Sequence, residues 1–213
     1  MRPLPVNLVN TPLARVAIPI APVKRPRNRE ATIRSVLESA QRLFSTKGFD
    51  NTSLVDIAAE TGLSPRGVIL HFSSKADIAA ELMIRDMRAR AQAWREEQVG
   101  DDAETRVRAF FAWLADGDRR MFINFGALWA FAARWSEKLE ATTQQATAEL
   151  LAPVRHAIEA GIANGQLRNV DAAAACEMLW ISYLSGLRRA AVHNGKPADA
   201  LASVDRALAL IKT

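Results

Sequence analysis

The strongest constraint on this chain is a crowding of helix-start signals between residues 52 and 75. Thr52 or Ser53 is suited to cap a helix, and Asp56, three residues past Ser53, occupies the reciprocal position of a capping box. Leu54, Ile57 and Ala58 supply the inner face of that helix, and Gly62 ends it. Ser64 then caps a second helix with Pro65 at its first position, where a missing N–H costs nothing. Val68, Ile69 and Phe72 are its apolar anchors, and Ser74, with Asp77 at the box position, opens a further helix toward Gln98. The turn Gly62-Leu63-Ser64 is only three residues long. Two short helices on so tight a turn form a helix-turn-helix, a unit found in DNA-binding domains and also in bundles that never touch DNA.

A longer helix precedes the pair and completes a small core. Ile33, Val36, Leu37, Ala40, Leu43 and Phe44 recur at helical spacing from Arg29 until Gly48 stops the pattern. Beyond Gly100 the periodicity predicts helices over Glu104–Asp116, Arg119–Trp135 with a break near Gly126, Glu137–Asn164, Asp171–Asn194 and Ala198–Ile211. Runs with period two are absent. The expected fold is all-α: a basic arm over 1–28, a three-helix helix-turn-helix domain over 29–75, and a second helical domain over 76–213.

Composition narrows the function classes. At 213 residues and 49% hydrophobic, the chain can bury a core without staples, and its single cysteine, Cys176, excludes a disulfide framework and fits a reducing compartment. The longest apolar or small stretch, Phe125 to Ala133, is too short to span a bilayer, so no membrane partner is expected. The net charge of +5 is carried by the first 30 residues, where Arg2, Arg15, Lys24, Arg25, Arg27 and Arg29 face only Glu30; the remainder is balanced. Six prolines interrupt this arm, and Pro19 and Pro22 break the apolar patch that a signal peptide would need. It reads as a flexible segment able to follow a polyanion, with Arg27 and Arg29 just ahead of the first helix, or as a tail with no task.

Phe49, the Thr52-Ser53 cap, Ile57-Ala58, Gly62-Leu63-Ser64, His71-Phe72 and Lys75 stand in an order that resembles the DNA-binding signature of the TetR family of transcriptional regulators, over about residues 29–85. The run His71 to Ala79 resembles the subgroup that includes actinomycete butyrolactone-type autoregulator receptors. The resemblance implies that the third helix enters the major groove of double-stranded DNA while the flanking caps hold phosphates. Thr52 and Ser53 would then clamp a phosphate with their hydroxyls and the free N–H groups of the second helix. Ser64, Pro65, Arg66, Gly67, Ile69 and Leu70 would lie along the groove, with Arg66 able to bridge O6 and N7 of a guanine. His71 would pack beneath this helix, and Lys75 would reach a phosphate. Two positions depart from the pattern. The family often has glycine where Arg66 stands and usually tyrosine where Ile69 stands, so Ile69 forgoes a hydroxyl contact worth about 1 kcal/mol per half-site.

For the second half the resemblance implies ligand binding and homodimerisation, so that two reading heads meet an inverted-repeat operator. Ala175, Ser182 and Gly186 would permit close helix approach, and Leu150, Val154, Ile158, Leu179 and Tyr183 could bury area between subunits; an intramolecular core would give the same pattern. Eight of the 14 aromatic residues fall between Phe110 and Trp135. That concentration points either to plain aromatic core or to an apolar cavity lined by Trp113, Met121, Phe125, Trp129 and Trp180. Such a cavity would take a small hydrophobic effector such as a lactone or furan. No phosphate loop, nucleophile elbow or metal-ligand spacing is found, and His71, His156 and His193 are far apart, so neither enzyme activity nor a cofactor is expected. The expected function is a ligand-responsive repressor in a bacterial cytoplasm, and its rival is a relative that has lost DNA or ligand binding and acts as an interaction factor.

Overall fold

The computed structural model describes residues 29–94, 100, 102–117 and 137–213. Its first helix, α1 (Arg29–Lys47), buries the stripe read from the sequence: Val36, Leu37, Ala40, Leu43 and Phe44 face inward, with Ile33 half-buried at the edge. Helix α2 (Leu54–Thr61) begins at Ser53, whose hydroxyl accepts from the Asp56 amide at 3.1 Å while the Asp56 carboxylate accepts from the Ser53 amide at 2.8 Å. Both partners of the capping box are therefore in place, and two orphan amides of the helix start are satisfied. Gly62 ends α2 in the left-handed region at φ 65°, a conformation that a side chain would strain.

Helix α3 (Pro65–Ile69) is a single turn, and α4 (Lys75–Ala93) follows from a second complete capping box, Ser74 with Asp77. The periodicity carries α4 toward Gln98, but it stops at Trp94, which turns to extended backbone and packs its ring 5.2 Å from both Phe110 and Trp113. Helix α5 (Ala103–Gly117), α6 (Glu137–Ala163), α7 (Ala172–Val192) and α8 (Leu201–Ala209) complete the body, with a 3-10 turn at Pro197–Ala200 before α8. The helix expected over Arg119–Trp135 lies outside the described residues. Among the described residues there is no strand, only one isolated bridge between Leu167 and Lys212. None of their helices is long and apolar enough to cross a membrane.

In the body, α4 and α5 pack on α6, and α7 packs on α6, α8 and the 3-10 turn. Two contacts require glycine. A Cβ on Gly186 would stand 2.7 Å from Ala200 Cα, and one on Gly161 would stand 2.5 Å from Ala103 Cβ. Gly186 thus admits the 3-10 turn of its own chain rather than a second subunit. The residues expected to bury area between subunits are likewise internal: Leu150, Val154, Ile158, Leu179 and Tyr183 are all closed off within one chain. An apolar stripe at helical spacing shows that a face is covered and does not show by what. That expectation is corrected here to an intramolecular core.

Candidate nucleic-acid interface

The reading head is positioned almost entirely by backbone capping. Ser64 is exposed in extended conformation, and its hydroxyl accepts from the Gly67 amide at 3.0 Å, while Pro65 fills the first helical position. Val68 is fully buried and anchors α3 to the core, so the opposite face is turned outward. Ser64, Pro65, Arg66, Ile69 and Leu70 are exposed there and Gly67 is half-exposed, so Ile69 is not the apolar anchor expected beside Val68 and Phe72. Among the described residues no hydrogen bond or ion pair engages the Arg66 guanidinium. Arg29 is exposed at the first position of α1, whereas Arg27 lies outside the described residues.

Three side chains singled out in the sequence have other work. Thr52 is buried, and its hydroxyl donates to the Gly48 carbonyl at 2.8 Å, which removes it from a phosphate clamp. The Ser53 hydroxyl is taken up by Asp56, which lies low, at about 2, because Ser53 donates to it through side chain and backbone and Lys47 stands 3.3 Å away. What α2 offers a phosphate is its first unpaired amides rather than these hydroxyls. Lys75 does not reach outward either. Its ammonium donates to the carbonyls of Phe49 at 2.6 Å, Thr52 at 2.8 Å and Asp50 at 3.2 Å, and sits 4.5 Å above the Phe49 ring. All three of its donors are spent on the α1–α2 loop, so it acts as a clamp between that loop and α4 instead of a phosphate ligand. The bare sequence gives no signal for this, because the carbonyls lie more than 20 positions away along the chain. His71 is half-buried just past the end of α3, and its Nδ1 has no hydrogen-bond partner.

In the body, Trp113 and Trp180 are half-buried ends of one chain of ring contacts. It runs from Trp113 to Phe110 at 6.0 Å, to Phe111 at 5.5 Å, to Tyr183 at 5.2 Å and to Trp180 at 5.9 Å. Met121, Phe125 and Trp129 lie outside the described residues. A groove of about 480 Å³ between α5 and α8 is lined by Thr105, Arg108, Leu201, Val204 and Asp205, and neither tryptophan borders it. Arg108 bonds Asp205 there at 2.7 Å. Cys176 is buried, and desolvation pushes its thiol up to about 11, so it is chemically quiet at neutral pH. Among the described residues no three His, Cys, Asp or Glu side chains gather as a metal centre.

A capped α2–turn–α3 unit with an outward α3 face, carried on a helical body, is the architecture of a DNA-binding transcription regulator. Residues 36–82 match the family described as bacterial regulatory proteins, tetR family. The described fold agrees: a TetR transcription regulator from Haloarcula marismortui superposes with TM-score 0.65 at 16% identity, over 86% of this chain and 100% of that one. A putative TetR-family regulator from Rhodococcus gives 0.63 at 18% identity, over 85% and 99%. PfmR, a TetR family regulator from Thermus thermophilus, is 26% identical with TM-score 0.55, over 82% and 97%. No curated protein matches the sequence. Residues 36–82 thus carry the sequence of the tetR-family regulatory domain, and the described residues share the fold of TetR-family regulators.

Proposed function

We propose that the chain is a homodimeric repressor of the bacterial cytoplasm that holds an inverted-repeat operator and releases it when a small hydrophobic effector enters the body. The observation that carries this reading is α4, which belongs to both halves. Its first residue, Lys75, grips the α1–α2 loop, and its last turn delivers Trp94 onto Phe110 and Trp113. At 19 residues it is a rod of about 28 Å, so a displacement at the aromatic end moves the reading head. In this reading Arg66 addresses a guanine edge, the α2 amides and Arg29 hold backbone phosphates, and the arm with Arg27 adds a salt-sensitive term.

The effector would sit against the aromatic chain, with Trp113 and Trp180 at its ends and Met121, Phe125 and Trp129 contributing. The dimer face passes to the outer stripe of α7, where Ile181 and Val192 are exposed large apolar side chains, Arg188 is exposed and Leu184 half-exposed, all at helical spacing. A twofold pair of heads would then read both half-sites. The test is selection of bound duplexes from random DNA, followed by anisotropy titration of the recovered site and of hydrophobic candidates with tryptophan fluorescence. A palindrome, and its release by an effector that also quenches tryptophan, is expected. A monomer that ignores every duplex at low salt would leave the interaction-factor reading.

A further inference from the structure

The outward face of α3 carries a chemistry that Arg66 does not exhaust. Arg66, Ile69 and Leu70 stand at i, i+3 and i+4, and the Leu70 amide donates to the Arg66 carbonyl at 3.1 Å, so the helical turn continues through all three. Val68, on the opposite side, is fully buried. Ile69 is 51% exposed and Leu70 79%, and together with Val55 they make half of the six large apolar side chains left this exposed among the described residues. Apolar side chains this open on a short helix, beside a cation, point to a surface that is covered only in a complex.

We propose that Ile69 and Leu70 are specificity-determining residues that read the 5-methyl groups of thymine in the major groove, beside a guanine held by Arg66. This rests on the reading of α3 as the groove helix. The major-groove floor presents one apolar group, the thymine methyl; every other edge presents donors or acceptors. Ile69 and Leu70 have neither donor nor acceptor, so they gain from that methyl. Over cytosine they would cover the N4 amine and strip its water without replacing the bond. Side chains at i, i+3 and i+4 lie about 5–6 Å apart, and base pairs stack about 3.4 Å apart, which places the methyls within about two steps of the guanine. The cation next to the apolar pair favours a polyanionic surface with embedded methyls over an apolar protein partner.

The test uses the full chain and sites selected from random duplex DNA. Each thymine of the recovered half-site is replaced in turn by deoxyuridine, which removes the methyl and nothing else, and binding is read by anisotropy. The expected half-site holds a guanine within two steps of thymines, and uracil at those thymines weakens binding about fourfold per methyl, about fifteenfold when both half-sites are changed. Replacing cytosine by 5-methylcytosine at the same position strengthens binding. Ile69→Ala or Leu70→Ala, both at exposed positions and checked for unchanged melting, binds the thymine and uracil duplexes alike while keeping the guanine preference. Equal binding of thymine and uracil duplexes at every position of a specifically retained site overturns the methyl reading and leaves groove binding standing. Recovery of no site at low salt removes the proposed function itself.

Discussion

The reading head and the body are held together by different physics. In the head, position is set largely by local backbone chemistry: the capping boxes of Ser53 and Ser74, the Ser64 cap and the left-handed Gly62, with the Lys75 ammonium on three carbonyls as the one long-range tie among them. In the body it is set by packing between elements distant in sequence, such as the ring chain from Trp113 to Trp180 and the seating of the 3-10 turn on Gly186. Local chemistry of the first kind leaves a recognisable string of residues. Packing of the second kind can be satisfied by many sequences, since hydrophobic volume matters more than identity. That difference explains why the sequence match covers residues 36–82 while the fold match covers most of the chain.

The largest effect expected on this contrast comes from Arg66→Ala. Two half-sites each lose a base contact worth about 1–3 kcal/mol, so operator affinity falls about a hundredfold or more with melting unchanged, as anisotropy and thermal scans would show. Lys75→Met strikes the joint between the regions. Its charged hydrogen bonds go to three carbonyls, and losing them is expected to cost about 2–3 kcal/mol of stability. If α4 is the transmitter, effector response weakens more than operator binding does, and equal losses of both would argue against it.

In the body, Gly186→Ala places a Cβ against the Ala200 backbone and should destabilise by about 1–3 kcal/mol, measured by urea unfolding, with operator contacts untouched in the folded fraction. Ser53→Ala removes the α2 cap at about 1 kcal/mol. It also removes the donors that hold Asp56 at about 2 against an ordinary 3.8. A carboxylate lowered in the folded state adds stability above pH 3.8 that is lost as the pH falls toward 2. Asp171, lowered by the Ala174 and Ala173 amides it caps, adds a second such contribution at the start of α7. The Ser53→Ala chain should therefore show a shallower loss of melting temperature between pH 4 and pH 2 than the parent. The smallest change concerns Cys176: with its thiol near 11, about one molecule in a thousand is thiolate at pH 8, so alkylation of the folded chain should be slow and leave DNA binding intact.

Much of the head was legible because caps and turns are short-range codes. Ser53 with Asp56, Gly62, Ser64 with Pro65, and Ser74 with Asp77 fall where the residues themselves require. The roles of Thr52 and Lys75 were not legible. Both are polar residues at a helix start, and only the folded loop shows that Thr52 turns inward to Gly48 and that Lys75 finds carbonyls of residues 49–52. In the body the described helices were legible from their periodicity, and the identity of their neighbours was not. Leu150 and Tyr183 carry the same stripe whether a second subunit or their own chain covers them.

The joint at Lys75 is built on main-chain oxygens of Phe49, Asp50 and Thr52. Every amino acid supplies that oxygen, so substitutions at exposed Asp50 and Asn51 leave the Lys75 attachment intact. The α1–α2 loop is thus free to change sequence and charge at these two positions while its attachment to α4 stays the same.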